Sequence, residues 1–169
     1  MTRIYIEKIC DLGFSKVANS QSAAGKALLR SALERDHGIN GELVFTYGNN
    51  GKPYLDFPAA PWFNISHSGE YVACIISDEC EVGLDIQRIV PARMRVAARV
   101  FTSKQCEELA ALDEYERDVR FCELWVLREA AIKARGGSVM ERTVTDDVIN
   151  ARLIAAPYGY RAAIAERIS

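Results

Sequence analysis

Apolar residues recur along this chain with two different periods. Ile4 and Ile6 alternate with polar neighbours, the period of a half-buried strand. Over residues 20–36 the spacing becomes helical, with Ala24, Ala27, Leu28 and Leu33 on one face and Gly38 just beyond as a stop. Residues 43–47 and 53–55 then read as two short strands flanking Asn50-Gly51, a pair suited to the positive φ angles of a tight turn. Strand-like runs follow at about 62–66, 71–77 and 81–86, separated by Gly69 and by the polar Asp78-Glu79. From Pro91 the pattern returns to helix. Met94, Ala97, Ala98 and Phe101 share a face, Thr102 or Ser103 can cap a second helix, and a longer one is expected at about 116–135, ended by Gly136-Gly137. Residues 148–155 and 160–165 close the chain as strands joined by Pro157-Tyr158-Gly159. Two successive blocks of strands plus helix predict an α+β fold, and no clear internal repeat is visible in the letters.

With 169 residues, 49% of them hydrophobic, the chain can bury one sizeable core and is too short for two large independent domains. A net charge of -2 argues against general nucleic-acid binding. The five cysteines, Cys10, Cys74, Cys80, Cys106 and Cys122, are scattered and form no C-x-x-C pair, so a reduced cytoplasm is the expected compartment. Charges in the first eight residues interrupt any signal-peptide core, and no apolar run is long enough for a membrane span.

Against this background a few polar residues stand out. Asp85 ends the run Val82-Gly83-Leu84 and shares a strand face with Gln87. A carboxylate there suits Mg²⁺, which takes one or two protein carboxylates and keeps waters; an Asp that merely turns the strand end is the plainer reading. Glu129 and Lys133 are spaced i,i+4 with Trp125 one turn earlier, which fits either a surface ion pair or a half-buried pair awaiting a third charge. Ser66-His67 before the Gly69 turn can grip a phosphate. A hydrolase nucleophile is disfavoured, because neighbours on a strand face opposite ways and no G-x-S-x-G elbow is present. The other histidine, His37, is explained by its place at a helix end. Lys52, in Gly51-Lys52-Pro53, is an ordinary turn lysine on its own. Arg88, Arg93, Arg95, Arg99 and Lys104 occur with no acidic residue between Asp85 and Glu107, making either a solvated basic helix or a docking surface for an acidic partner.

Taken in order, Gly51-Lys52-Pro53, the run from Phe63 through Gly69, the run from Val82 through Ile86, Phe101-Thr102 and the run from Trp125 through Lys133 resemble the successive motifs of the Sfp-type 4'-phosphopantetheinyl transferases. The resemblance implies a pseudo-dimer of two α+β halves, about 1–80 and 81–169, with the active site in the cleft between them. It implies transfer of the phosphopantetheine arm of coenzyme A to a serine of an acyl or peptidyl carrier protein, releasing adenosine 3',5'-bisphosphate. By the same resemblance Asp85 and Glu129 bind Mg²⁺, with Gln87 as a neutral donor where the family commonly has an acid. Lys133 contacts the pyrophosphate, and Lys52, Ser66 and His67 hold other phosphates of the ligand. Glu129 or a metal-bound water takes the serine proton, and Glu129 and Lys133 are the catalytic pair. Arg93, Arg95 and Arg99 match the carrier-docking region, and one chain supplies the whole site, so a monomer is expected. Arg128 stands where a lysine is usual, and the chain is shorter than usual ahead of its first helix, where Lys16 and Lys26 are the available substitutes for basic phosphate contacts. The rival expectations are a non-catalytic module that binds a carrier protein or coenzyme A, and a metal-dependent hydrolase of phosphate esters.

Overall fold

In the computed structural model, residues 1–15, 18–137 and 149–168 are described. The elements follow in the order β1 (Thr2–Lys8), α1 (Ala18–His37), β2 (Phe45–Tyr47), β3 (Pro53–Leu55), β4 (Trp62–Ser68), β5 (Tyr71–Ser77), β6 (Val82–Arg88), α2 (Met94–Val100), α3 (Ser103–Ala111), α4 (Glu114–Arg135), β7 (Ile149–Ile154) and β8 (Tyr160–Arg167). The α+β class is as expected, with antiparallel pairing throughout the described sheets.

Two three-stranded sheets carry the structure, in the orders β1-β5-β4 and β6-β8-β7. In each sheet the strand that comes first in sequence lies at one edge, the second at the other and the third in the middle. In each, too, helix separates the first strand from the second. This topological echo has no counterpart in the letters, because a sheet order constrains backbone pairing and leaves side-chain identity free.

The central strand β5 is buried along nearly its whole length, and its two faces serve two cores. Val72, Cys74 and Ile76 pack with Ala24, Leu28, Leu29 and Leu33 of α1. Ala73 and Ile75 point the other way, toward Val82, Leu84 and Ile86 of β6 and Ala162 and Ile164 of β8. The far face of the second sheet, with Ala163 and Ala165, meets Val126, Ala130 and Ala134 of α4. The result is four layers, α1, sheet, sheet, α4, and it explains why β5 reads as a continuous apolar run without alternation. Each buried Leu or Ile in these layers contributes about 1.5–3 kcal/mol.

Helix boundaries follow local chemistry. Thr102 and Gln105 form a reciprocal capping box at α3, and Asp113 caps α4 by accepting from Glu116 N–H at 2.9 Å. α4 therefore starts two residues earlier than its apolar spacing suggested. It ends on Gly136, in the left-handed conformation at φ 65, where a side chain would be strained. On α2 the packed face is Met94, Val96, Ala97 and Phe101, whereas Ala98, expected inside, is exposed. Helix α2 is too short for its spacing to select one face unambiguously. The predicted strand start at Val148 and the candidate contact Lys16 lie outside the described residues.

Two features lock β6 in place. The first is Gly83, which faces α4 so closely that an added Cβ would lie 2.0 Å from Ala130 O and 2.4 Å from Ala134 N. Both atoms belong to helix backbone that cannot yield locally, so the absent side chain is what lets α4 approach. The second is a row of side-chain oxygens on β4. Asn64 Oδ1, Ser66 Oγ and Ser68 Oγ accept from the backbone N–H groups of Leu84, Ile86 and Arg88 at 3.0, 3.3 and 3.0 Å. β4 and β6 are edge strands of different sheets, and these three bonds join the edges.

Gly83→Ala is expected to lower stability by about 3 kcal/mol, at or above the upper end of the usual overpacking range, and to do so while β6 pulls away from α4. Urea unfolding followed by circular dichroism checks it; a midpoint within error of the parent's would mean that the helix can shift without loss.

Candidate functional site

The joint between β4, β6 and α4 brings Ser66, Asp85, Glu129 and Lys133 together. Asp85 sits on the face of β6 turned toward α4, two residues after Gly83. The close approach permitted by Gly83 carries Lys133 onto the carboxylate: Lys133 Nζ lies 2.6 Å from Asp85 Oδ1. The same ammonium donates to Ser66 Oγ and to Leu84 O, both at 3.2 Å. Ser66 Oγ donates to Asp85 Oδ1 at 2.8 Å. Glu129, one helical turn before Lys133, has a relative exposure of only 6%.

Two carboxylate oxygens in this cluster, Asp85 Oδ2 and Glu129 Oε1, are buried and have no hydrogen-bond partner among the described residues. Burial pushes the Glu129 carboxyl above its ordinary range; the nearby Asp85 charge pushes the same way, with Lys133 and Arg128 opposing. Even with Lys133 on Asp85 Oδ1 and the Arg128 charge nearby, these two oxygens lack a partner in a place with little water. That donor set fits a divalent cation that prefers oxygen. No group of three His, Cys, Asp or Glu side chains with metal-like placement occurs among the described residues. The remaining coordination would therefore fall to water, a ligand or a neutral side chain. Gln87 follows Asp85 by two positions on the same face of β6 and lines a neighbouring cavity of 210 Å³ with Arg93, Val96, Phe121, Cys122 and Trp125.

On the other side lies a cavity of 320 Å³ lined by Ser22 and Lys26 of α1, Phe45 and Tyr47 of β2, and Phe63, Ile65 and His67 of β4. Partial desolvation lowers the His67 pKa, and the Lys133 charge lowers it further while Asp85 opposes. That shift favours the neutral imidazole, which can donate one N–H into the cavity. Lys26, whose Nζ stands 6.0 Å from the centre of the Phe45 ring, supplies a cation there.

Lys52 is placed differently from the expectation of a phosphate contact. Its ammonium is buried and donates to Ala134 O at 3.1 Å and Val82 O at 3.3 Å, with Glu81 Oε1 at 3.6 Å. Burial lowers its pKa, opposed by Glu81. The turn between β2 and β3 thus clamps the end of α4, helped by Asn50, which donates to Gly136 O at 2.8 Å. Cations at a helix C-terminus are favoured by its free carbonyls. Glu81 gathers Tyr54, Lys52 and Arg167 into the same clamp. Arg93, Arg95 and Arg99 are exposed at and along α2.

The sequence reading missed Asn64 and Ser68. The signal was available, since polar residues at 64, 66 and 68 alternate with Phe63 and Ile65. A polar strand face is ordinarily solvated, and only the packed second sheet shows that this one meets another strand edge. The Glu81 network was equally invisible, because its members come from three separate segments.

Comparison with known proteins adds a separate line of evidence. Residues 81–159 match the sequence profile of the 4'-phosphopantetheinyl transferase superfamily. The chain is 36% identical over 132 residues to the 4'-phosphopantetheinyl transferase AcpT of Salmonella typhimurium, covering 77% of this chain and 66% of that protein. It is 33% identical over 129 residues to the 4'-phosphopantetheinyl transferase Sfp of Bacillus subtilis, covering 75% and 57%. A putative 4'-phosphopantetheinyl transferase of Synechocystis is 37% identical over 102 residues, covering 58% and 42%. The chain thus spans less than two thirds of the length of these curated relatives.

The raised pKa of Glu129 carries a definite sign. Unfolded, it ionises near 4.5; folded, it keeps its proton to higher pH, so the native state binds more protons in that window and stability falls as pH rises through it. Glu129→Gln is therefore expected to melt above the parent at pH 7, with the difference closing as pH drops below 4.5. A melting series across that range checks this; identical curves at neutral pH would show that the buried carboxylate carries no penalty.

Proposed function

We propose, from the premise that this chain belongs to the 4'-phosphopantetheinyl transferase superfamily, that it moves the phosphopantetheine arm of coenzyme A onto a serine of an acyl or peptidyl carrier protein. The observation that carries this reading is the pair of buried, unpartnered oxygens, Asp85 Oδ2 and Glu129 Oε1, beside the Lys133 ammonium. That arrangement is costly in a protein without a ligand and suited to a metal–diphosphate group.

Asp85 and Glu129 hold Mg²⁺ in this reading, with Gln87 as a neutral third donor. When bound, the ion supplies charge neutralisation for the diphosphate. Lys133 holds the transferred phosphoryl group as a point charge. Glu129 accepts the proton of the incoming serine hydroxyl. The serine oxygen bonds to the pantetheine phosphorus, the diphosphate P–O bond breaks, and adenosine 3',5'-bisphosphate leaves. The 320 Å³ cavity takes the nucleotide end, with His67 and Lys26 at its phosphates. The cavity beside Gln87 and Trp125 receives the arm and the acceptor serine. Lys52 supports the site from behind, through the end of α4. Exposed Arg93, Arg95 and Arg99 dock the acidic carrier and steer its approach.

The recurring strand order supports a pseudo-dimer of two halves, 1–80 and 81–169, in one structural unit with the site in the cleft between them. Every group invoked comes from one chain, which fits a monomer. No helix among the described residues is long and apolar enough to cross a membrane, and reduced cysteines fit the cytoplasm.

Intact-mass analysis of an apo carrier protein with this protein, coenzyme A and Mg²⁺ is expected to show the gain of one phosphopantetheine, lost with a chelator. Glu129→Gln should slow the gain by about 10²-fold or more, the usual worth of a positioned base, while carrier binding persists. No gain with several carriers, while coenzyme A still binds, would leave a binding module instead. Coenzyme A cleavage without a carrier would indicate a hydrolase. Arg95→Glu with Arg99→Glu should raise the carrier KM and flatten its salt dependence, with the KM for coenzyme A unchanged; an unchanged carrier KM would remove α2 from the interface.

A further inference from the structure

We propose that Ser66 is a positioning residue: its hydroxyl fixes the Asp85 carboxylate so that Oδ2 is presented to the metal, and it does not hold a phosphate. This rests on the magnesium-dependent reading above and assigns Ser66 a role within it.

The argument begins with capacity. A serine hydroxyl has one proton to give and two lone pairs with which to accept. Ile86 N–H and Lys133 Nζ donate to Ser66 Oγ at 3.3 and 3.2 Å, and Oγ donates to Asp85 Oδ1 at 2.8 Å. All three positions are filled, in a residue of 5% relative exposure. A phosphate oxygen only accepts, so it would have to take the one proton that Asp85 already holds.

The second step concerns the two oxygens of Asp85. Oδ1 receives Ser66 Oγ and Lys133 Nζ, at 2.8 and 2.6 Å, while Oδ2 is buried without a partner. A carboxylate free to turn about its Cβ–Cγ bond would interchange these oxygens. Two donors converging on Oδ1 hold it in one orientation and leave Oδ2 as the oxygen open to a further partner. Of the two donors, Lys133 has the competing task of meeting the diphosphate, whereas Ser66 is anchored by the strand joint. The bonds from Leu84 N–H to Asn64 Oδ1 and from Arg88 N–H to Ser68 Oγ, at 3.0 Å each, flank the one from Ile86 and set its register. Ser66 thus stays with Asp85 when Lys133 turns to the ligand.

The test compares Ser66→Ala, Ser66→Thr and Ser68→Ala with the parent. Mn²⁺ affinity of the protein alone is read from the electron paramagnetic resonance of free Mn²⁺, together with the KM for coenzyme A at saturating metal and the melting temperature. Ser66→Ala is expected to bind Mn²⁺ about 10–100-fold more weakly, the usual effect of losing a partner behind a metal ligand, with the KM for coenzyme A unchanged. Ser66→Thr, which keeps the hydroxyl, should restore the affinity. Ser68→Ala removes a rung of the same joint that does not touch Asp85; it should melt lower, like Ser66→Ala, yet bind Mn²⁺ as the parent does. Parent-like Mn²⁺ affinity in Ser66→Ala with a raised KM for coenzyme A would make Ser66 a phosphate ligand and overturn the proposal. An equal loss of affinity in Ser68→Ala would reduce Ser66 to a purely structural rung. A parent protein that binds no Mn²⁺ would sink the magnesium reading itself and the role of Ser66 with it, an outcome separate from a variant that fails to differ.

Discussion

Strand β6 lies at the edge of its sheet, and its outward N–H groups at Leu84, Ile86 and Arg88 have no strand to pair with. Left buried and unpaired, each would cost about 1–3 kcal/mol. Three side-chain oxygens of β4, spaced two residues apart, meet them instead. Because the acceptors come from side chains, the two edges stand further apart than paired strands and leave room at the joint. They are nevertheless held in a fixed register, with Ser66 beside Asp85. An ordinary backbone ladder would have merged the sheets and closed the space in which the candidate site lies. A solvated gap would have left β6 as an exposed edge open to unwanted pairing.

The charged cluster depends on that joint and on the thinness of the β6–α4 contact. Gly83, Ala130 and Ala134, with Ala163 and Ala165 on the neighbouring strand, remove side-chain bulk between helix and sheet. Lys133 and Glu129 are brought to Asp85 as a consequence. The clamp of Asn50 and Lys52 on the last turn of α4 fixes the other end of the same lever. Small residues on one face and a buried cation at the helix end therefore serve one purpose, to hold an i,i+4 pair at a carboxylate in the middle of β6.

Several buried and half-buried charges among the described residues are well met. Lys52 has two carbonyls and a carboxylate, Glu81 meets Tyr54 and Arg167, and Glu123 meets Arg120 and Arg161. Among the described residues, the buried carboxylate oxygens without a hydrogen-bond partner are Asp85 Oδ2 and Glu129 Oε1, and they fall where the sequence motifs converge. Local sacrifice of stability at a functional site is the general pattern, since a group made ready for a ligand is incompletely paired without it.

Local features of the chain were legible in its letters because they depend on near neighbours. Strand and helix periods, the stop at Gly136, the tight turn at Asn50-Gly51 and the shared stripe of Trp125, Glu129 and Lys133 are set within a few residues, where backbone geometry and side-chain spacing decide the outcome. Asp85, Glu129 and Lys133 could be singled out for the same reason. Their meeting, however, required the four-layer packing, and so did the destinations of Lys52 and Ser66. A lysine in a turn and a serine on a strand each have several good partners, and nothing in the nearby sequence ranks them. Tertiary structure ranked them by burial: once α4 lay on β6, the free carbonyls of Ala134 and Val82 and the N–H of Ile86 were out of reach of water. They took the nearest donor and acceptor that the fold could supply.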